Sequence, residues 1–341
     1  MSRYIIKRLL YLIPVLFGVS IIIFGIIHLA PGDPAQVMLG PRASEQDIIQ
    51  LREELGLNES LPVQYFTYIK NAVQGDFGNS IQTGRPVFEE IKSRFPATLK
   101  LSVLGMVLAI VIGFPLGVIA ALNQDTWIDK LSSFLALVGF SIPNFWAGLM
   151  LMLLFASIFP ILPSSGYGSW KNLVLPSLAL AIQTIAVIAR MTRSSMLEII
   201  RKDYIKTAKA KGISAKLVLV RHIIRNALIP VVTIAGLYFG HSLGGVVVTE
   251  TVFSYPGIGR LLVSAIRSQD YPVVQTGVLV FAAGVGVVNL IVDIIYGYLD
   301  PRIKAQYRAI KENDQEKLDM IGNESSIDKK MKEEGEDVDA K

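Results

Sequence analysis

The chain has 341 residues, of which 52% are hydrophobic and 18% are charged, and its mean hydropathy is +0.48. This composition is too apolar for an ordinary soluble domain and predicts an all-α protein with several membrane spans. The absence of cysteine excludes a disulfide framework, a thiolate nucleophile and a metal site with cysteine ligands. Residues 311–341 carry eleven acids and six lysines, a net of −5, so the +5 of the whole chain leaves +10 for residues 1–310. That surplus is typical of cytoplasmic loops and does not indicate nucleic-acid binding, because basic and aromatic residues are not interleaved on any soluble domain.

Six apolar stretches have roughly the 20 residues that a helix needs to cross the hydrocarbon core of a bilayer. In chain order they are residues 9–30, 98–122, 131–158, 173–189, 227–248 and 273–296. The third stretch is long enough to bend, and Pro143 in the segment SIPNFW is the expected bend point. The first stretch is too long for the apolar part of a signal peptide and is followed by PGDP, so we interpret it as a retained span.

The distribution of lysine and arginine predicts the orientation of these spans. Cations are concentrated at the N-terminus, in residues 190–226 and just after the last span, so the positive-inside rule predicts that all three segments are cytoplasmic. The chain is then organised as follows: the N-terminus and first span (1–30), an extracytoplasmic helical segment (31–97), spans two to six with the basic loop 190–226 (98–298), and a charged cytoplasmic tail (299–341).

Local signals predict helices in the extracytoplasmic segment and disorder in the tail. Ser44 followed by Asp47 resembles a capping box, and Pro62 and Pro86 are each suited to the first turn of a helix. The tail is polar, rich in charge and has no aromatic residue after Tyr307, which is a composition typical of disorder.

Sequence motifs for catalysis and for nucleotide or metal binding are absent. The chain contains no Gly-Lys pair and therefore no P-loop, and it contains no H-E-x-x-H motif. The letters GHSLG at 240–244 match G-x-S-x-G, but they lie inside the fifth apolar stretch and not between a strand and a helix, so they do not indicate a nucleophile elbow. Its three histidines lack the spacing of metal ligands. We therefore expect neither catalytic residues nor a metal site in this chain.

The basic loop contains a segment, residues 203–228, that predicts two short helices separated by Gly212-Ile213-Ser214. Gly212 suits the position just after a helix end, and Ser214 suits the N-cap of the next helix. A purely solvated loop touching anionic lipid is one interpretation. Docking to another protein is the other, and it is favoured by apolar and small residues that a solvated loop does not need: Tyr204, Ile205, Ala208 and Ala210.

The basic segment, DYIKTAKAKG…RHIIRNALIP, resembles the coupling loop of bacterial ABC-importer permeases of the peptide (oligopeptide/dipeptide) family. Further segments resemble the same family in the same order: PGDP at 31–34, GDFGNS at 75–80, SIPNFWAGL at 141–149, ETVFSYPGIGRLLVSAIRSQDYPVVQ at 250–275 and DPR at 300–302. The resemblance covers essentially the whole chain except its acidic tail.

The resemblance implies a type I importer permease with six transmembrane helices, a small extracytoplasmic cap and a cytoplasmic coupling helix. It implies the first of two paired permeases, which form a heterodimer that works with two cytoplasmic ABC ATPase subunits and an extracytoplasmic substrate-binding protein in a bacterial cell membrane. ATP and Mg²⁺ would be bound by the ATPases, and no cofactor by this chain. The implied substrates are di- and oligopeptides, with a nickel complex or glutathione as alternatives. An ion-coupled secondary transporter is a further alternative, although that class often shows inverted repeats and buried carboxylates.

Three groups of residues are the candidate sites. By resemblance, the residues that contact the ATPase are Asp203, Tyr204, Thr207, Ala208, Lys209, Ala210, Gly212 and Arg221. Polar groups at membrane depth are costly and suggest a translocation pathway, which gives His241, Ser242, Glu250 and Asn289. Interhelical hydrogen bonding is the alternative for Asn289, and pairing with Arg260 or Arg267 is the alternative for Glu250. A stripe of small residues for close helix packing consists of Gly236, Gly240 and Gly244.

Overall fold

A computed structural model describes residues 2–29, 33–40, 42–54 and 56–299, and these residues contain helices but no strand. The helices are α1 (Ser2–Leu29), α2 (Pro34–Leu39), α3 (Glu45–Glu54), α4 (Leu61–Val73), α5 (Val87–Leu122), α6 (Trp127–Ser141), α7 (Asn144–Met152), α8 (Lys171–Ile200), α9 (Asp203–Ala210), α10 (Ala215–Leu217), α11 (Arg225–Val252), α12 (Ile258–Arg267) and α13 (Tyr271–Leu299). Two π-helical segments, Leu153–Ile158 and Val218–Ile224, follow α7 and α10. The described residues up to Val292 form one compact unit. The predicted disorder of the tail concerns residues that, apart from Leu299, lie outside the described ranges.

Five helical segments among the described residues are long and apolar enough to cross a membrane: 8–29, 87–122, 171–200, 215–252 and 271–294. A sixth is the pair 127–141 and 144–158, which is bent by 104° at the break between its two halves. Counted as one broken span, the pair completes the predicted set of six. The break lies at Pro143, as predicted, because proline has no amide hydrogen and restricts the residue before it. The side chain of Gln183 donates a hydrogen bond of 2.8 Å to the Ile142 carbonyl at this break.

The second and fourth spans are longer than the sequence predicts. Helix α5 has 36 residues and includes both the predicted third cap helix at Pro86 and the second span. Its first turn is stable in this position because Val87 and Ile91 are buried against α12. Helix α8 has 30 residues, since its last turns pack on neighbouring spans through Thr192, Ser195 and Met196. The non-helical part of the basic loop is accordingly much shorter than residues 190–226.

Close contact between α5 and α8 organises the spans. Small residues recur at every fourth position of α5, and all are buried: Gly105, Ala109, Gly113 and Gly117. A Cβ atom on Gly113 would lie 2.7 Å from the carbonyl oxygen of Ile185, and one on Gly117 would collide with the carbonyl oxygen of Ala189. These positions therefore allow the two backbones to approach closely, which is how small-residue stripes promote packing in membranes. Helix α8 is the most buried of these five spans, because 67% of the residues in its apolar 18-residue stretch are buried.

The predicted helical cap is present in residues 33–73. Ser44 precedes α3, where its hydroxyl accepts a hydrogen bond of 3.2 Å from the Asp47 amide, as the capping-box prediction requires. Helix α4 lies along the C-terminal half of α1, where Tyr65 and Ser20 share a hydrogen bond of 2.7 Å. The loop after α4 is fixed to the start of α13, because the Ser80 hydroxyl donates to the buried carboxylate of Asp270 over 2.5 Å.

We expect Gly117→Val to destabilise the protein strongly, because the new side chain must separate α5 from α8 at their closest approach. Overpacking of this kind costs about 1–3 kcal/mol. Thermal unfolding of the purified chain in detergent measures the effect. Gly25→Val in α1 is the matched control, since a Cβ atom there meets nothing within 4 Å. Equal unfolding temperatures for the two variants would contradict the proposed role of the α5 stripe.

Candidate coupling helix and buried polar contacts

Helix α9 is a short helix with charges that match its dipole. Asp203 lies in the first turn and Lys209 in the last, so each charge faces the helix end of opposite sign. Asp203 also pairs with Lys206 at 2.9 Å, and its carbonyl accepts a hydrogen bond of 3.0 Å from the Thr207 hydroxyl. Both charged side chains are exposed, so we attribute only a small stabilisation to the ion pair.

Gly212 ends this helix as predicted. Its φ angle of +75° lies in the left-handed region, which is open to glycine without a steric penalty. Its amide donates a hydrogen bond of 3.0 Å to the Lys209 carbonyl. Ser214 occupies the N-cap position of α10 as expected, although its side chain makes no capping hydrogen bond. From there the chain remains helical through the π-helical segment into α11, so the second predicted short helix is in fact the start of the fifth span.

One face of α9 is buried against the ends of three spans. Ile205 and Ala208 are 1% and 8% exposed. They belong to an apolar cluster that also contains Ala121 of α5, Met196 of α8 and Ala227 of α11. A displacement of α9 therefore acts directly on the ends of these spans. We refer to this group of residues as the coupling core.

The opposite face of α9 is open. Tyr204 is 47% exposed, and the other predicted coupling residues with exposed side chains are Asp203, Thr207, Lys209, Ala210 and, on the π-helical segment, Arg221. Ala208 differs from the prediction, because its side chain packs inward and leaves little surface for another protein. Its small size serves the coupling core instead.

An ion pair between α6 and α8 was not predicted. The guanidinium of Arg193 donates to both oxygens of Asp129, with Nη2 at 2.7 Å from Oδ2. Asp129 is buried, and the Asp125 amide donates a further hydrogen bond of 3.0 Å to it. The signal available in the sequence was Asp129 itself, an acid just before the third apolar stretch, because a buried acid requires a partner.

Glu250, on α11, is fully enclosed and is held by groups from two other helices, α5 and α12. It accepts a hydrogen bond of 2.6 Å from the Thr98 hydroxyl and one of 3.0 Å from the Arg260 amide. The Thr98 oxygen in turn accepts a hydrogen bond of 2.8 Å from the Ile258 amide. The carboxylate thus lies at the N-terminus of α12, where backbone amides stabilise negative charge. We call Glu250, Thr98 and these amides the outer clamp.

The outer clamp favours a structural role for Glu250 over a place in an open pathway. Pairing with Arg260 occurs, but through the backbone amide, while the guanidinium of Arg260 donates to the Ser254 carbonyl. A Cβ atom on either Gly257 or Gly259 would meet the carboxylate. These glycines allow the backbone to close around the acid.

The remaining pathway candidates lie on the surface of this chain. His241 and Asn289 are exposed, while Ser242 is partly buried and donates to the Phe239 carbonyl over 2.8 Å. Asn289 lies against Gly240, where an added Cβ atom would meet its side-chain oxygen. These geometries leave the pathway assignment a prediction.

The glycine stripe on α11 is only partly used within this chain. Gly240 contacts Asn289, whereas a Cβ atom on Gly244 would meet nothing within 4 Å, and Gly236 is partly exposed. The close helix packing observed in the chain is made by α5 instead. Contact of the α11 stripe with a second permease stays a prediction.

The described residues thus form a membrane protein in which a short helix, α9, packs on the ends of three spans and keeps its other face exposed. Two family models match the chain: the inner membrane component of binding-protein-dependent transport systems over residues 113–305, and the N-terminal part of the corresponding membrane component over residues 1–102. The chain belongs to this family of ABC-importer permeases and is a multi-pass membrane protein. It is a transport subunit rather than an enzyme and works with other components of an ABC transporter.

Individual relatives give a closer comparison. The chain is 46% identical over 332 residues to a dipeptide transport system permease protein of Alkalihalophilus pseudofirmus, covering 89% of this chain and 100% of the relative. It is also 46% identical over 304 residues to a glutathione transport system permease protein of Escherichia coli K12, covering 89% and 99%. A solved structure of a methionine ABC transporter in inward-facing conformations shares the fold with a TM-score of 0.53 at 17% identity, covering 62% of this chain and 97% of that chain. The predicted resemblance and the importer-permease fold are confirmed.

We expect Thr98→Val to destabilise the junction of α5, α11 and α12. It removes the hydroxyl that binds Glu250 and leaves the Ile258 amide without its acceptor, and losing a hydrogen bond to a charged group costs about 1.5–3 kcal/mol. Thr251→Val is the matched control, because that hydroxyl bonds only to the Val247 carbonyl of its own helix. Thermal unfolding in detergent checks the difference. A larger effect of the control would argue against the outer clamp.

Proposed function

We propose that the chain is the first of two paired permeases of an importer that takes up di- and oligopeptides. Two relatives at equal identity support this substrate class. One is named as a dipeptide permease. The other is named as a glutathione permease, and glutathione is itself a tripeptide. The two permeases would form a heterodimer with two cytoplasmic ABC ATPases, and an extracytoplasmic binding protein would deliver the peptide. We place the complex in a bacterial cell membrane, with both termini and α9 in the cytoplasm, because the cations around α9 follow the positive-inside rule.

The two faces of α9 carry this proposal. The buried face holds the helix to the ends of α5, α8 and α11 through the coupling core, while the exposed face, which includes Tyr204 and Thr207, is free to enter a cleft on an ATPase. A force applied to the exposed face would reach the spans through packed side chains rather than through a flexible loop. Densely packed interfaces of this kind switch between discrete arrangements instead of deforming continuously.

The energy for transport would come from the ATPases. ATP and Mg²⁺ would bind to those subunits and draw them together, and this chain would convert their displacement into a change of span packing. The ion pair between Arg193 and Asp129 joins α8 to α6, so movement of the α8 end would be passed to the broken third span. Inward-open and outward-open states would then be favoured by different ligand states.

The peptide pathway would run along surfaces that are exposed in the single chain. His241, Ser242 and Asn289 remain our candidates, because a sister permease facing them would enclose a passage with polar walls. Glu250 is not among them, since the outer clamp encloses its carboxylate completely. A nickel complex or glutathione as substrate, or an ion gradient as energy source, are the alternatives that the uptake experiment below separates.

Uptake by the reconstituted complex tests the function and the role of the Gly212 turn together. With partner subunits and binding protein in proteoliposomes, we expect ATP-dependent uptake of a labelled dipeptide by the wild-type complex. Gly212→Pro should abolish uptake with membrane insertion intact, because proline cannot adopt a φ of +75° and has no amide for the Lys209 carbonyl. Uptake at the wild-type rate in this variant would refute the coupling role.

Matched measurements separate the substrate from the mechanism. Gly212→Ala is the control, since a Cβ atom there meets nothing within 4 Å and the left-handed conformation costs only about 1–2 kcal/mol, so most uptake should remain. Uptake of a nickel complex in place of the dipeptide would overturn the peptide assignment alone, and uptake of glutathione in its place would narrow the substrate to that tripeptide. Uptake driven by an ion gradient without ATP would overturn the proposed energy source.

Cross-linking gives a direct test of the docking face. The chain has no cysteine, so a single introduced thiol reports one position. We expect Thr207→Cys, on the exposed face of α9, to form a cross-link to an ATPase subunit. Ser264→Cys, exposed on α12, is the control and should form none. Absence of a cross-link from Thr207→Cys in both nucleotide-free and ATP-bound complexes would exclude α9 as the docking element.

A further inference from the structure

A crevice runs between α1, α4 and α13 on the side of the helical cap. It consists of two cavities that share Phe77 as a wall. The apolar cavity, of about 300 Å³, is lined almost entirely by apolar side chains, among them Leu16 on α1 and Ala283 on α13. The larger cavity, of about 1090 Å³, extends from Phe24 and His28 to the start of α13 and has a mixed polar and apolar lining. The crevice is therefore amphipathic along its length.

The polar end of the crevice contains hydroxyl groups without partners. Tyr68, Tyr271 and Thr276 line the larger cavity, and their side-chain oxygens are enclosed without making any hydrogen bond to the described residues. Thr276 is only 1% exposed. Burial raises the pKa of the Tyr68 hydroxyl, with a smaller contribution from Tyr65, so this group remains a hydrogen-bond donor. Unpaired buried hydroxyls are unusual, and here three of them line one cavity.

The same end carries carboxylates that could hold a cation. Asp33 is paired with Arg52 at 2.8 Å, whereas Glu59 and Asp76 are exposed at the cavity wall. The backbone amide of Gly78 donates to Asp76 over 3.0 Å, which leaves the second carboxylate oxygen available for another donor. Hydroxyl donors and carboxylates together suit a ligand that carries both an anionic and a cationic group.

The length of the crevice matches one leaflet of a bilayer. Along α1 it extends from Leu16 to His28, a rise of about 18 Å at 1.5 Å per residue. Half of the hydrocarbon core of a bilayer is about 15 Å. The apolar end lies at the depth of acyl chains, and the polar end lies where headgroups meet water.

We propose that the crevice binds one phospholipid with an ammonium-bearing headgroup of the phosphatidylethanolamine type. An acyl chain occupies the apolar cavity, and the ammonium group pairs with the exposed carboxylates of Glu59 and Asp76. The phosphate accepts hydrogen bonds from the hydroxyls of Tyr68, Tyr271 and Thr276, whose oxygens are covered in this structure, so these side chains must turn toward the lipid when it binds. The lipid fills the gap between the first and last spans and joins the cap to α13. Its assignment to the extracytoplasmic leaflet rests on the proposed orientation, but the site itself does not.

Native mass spectrometry tests the site on the purified full-length chain. The chain is released from nanodiscs that contain equal amounts of phosphatidylethanolamine and phosphatidylglycerol. We expect one molecule of phosphatidylethanolamine to be retained in several-fold excess over phosphatidylglycerol. Ala283→Trp should lose the retained lipid, because the indole fills the apolar cavity. The double variant Glu59→Gln, Asp76→Asn should lose the headgroup preference.

Control variants distinguish this site from general lipid contact. Leu237→Trp changes an exposed apolar residue of α11 and should retain the lipid. If Ala283→Trp does not fold, the double variant decides, since both of its substitutions are on exposed side chains. Retention of phosphatidylglycerol at or above the level of phosphatidylethanolamine, or unchanged preference in the double variant, would overturn the proposal. Neither result depends on which substrate the importer carries.

Discussion

Close packing of α5 on α8 is the constraint on which the rest of this permease depends. The spans approach each other because small residues, such as Gly113 and Gly117, leave room for the opposite backbone. In lipid no hydrophobic effect draws helices together, so contact of this kind must come from fit. With α8 fixed at the centre, its C-terminal end becomes a rigid support for α9. Both the coupling core and the ion pair between Arg193 and Asp129 are built on that end.

In the function proposed above, the permease would transmit force at one side of the membrane and hold its shape at the other. On the α9 side, the buried face of a short helix contacts the ends of three spans, so that a partner acting on the helix acts on all three. At the far end of α11, Glu250 joins three helices through the Thr98 hydroxyl and the amides of α12. A buried acid in such a position stabilises only while its partners remain, and the outer clamp therefore maintains one geometry where α5, α11 and α12 meet.

Polar groups along the crevice formed by α1, α4 and α13 differ in whether they have hydrogen-bond partners. The Ser20 hydroxyl of α1 finds a partner in Tyr65, and His28 Nε2 lies 3.0 Å from the Gln64 side-chain oxygen. The hydroxyls of Tyr68, Tyr271 and Thr276 find none among the described residues. The crevice-lining groups that attach the cap to the first span are therefore paired, whereas the three hydroxyls nearer the start of α13 and on α4 are the ones for which we propose a ligand.

The sequence by itself determined the features that depend on neighbours along the chain: the apolar spans, the break at Pro143, the capping of α3 by Ser44 and the turn at Gly212. Each follows from hydropathy or from backbone conformation within a few residues. Only the tertiary structure decided that Ala208 faces inward, that α8 continues to Ile200, and which group holds Glu250. Thr98 is 152 residues away from Glu250 and Asp129 is 64 residues from Arg193. Such partners are selected by how the helices pack, because a buried charge takes whichever donor the fold brings within reach, and no local pattern specifies that donor.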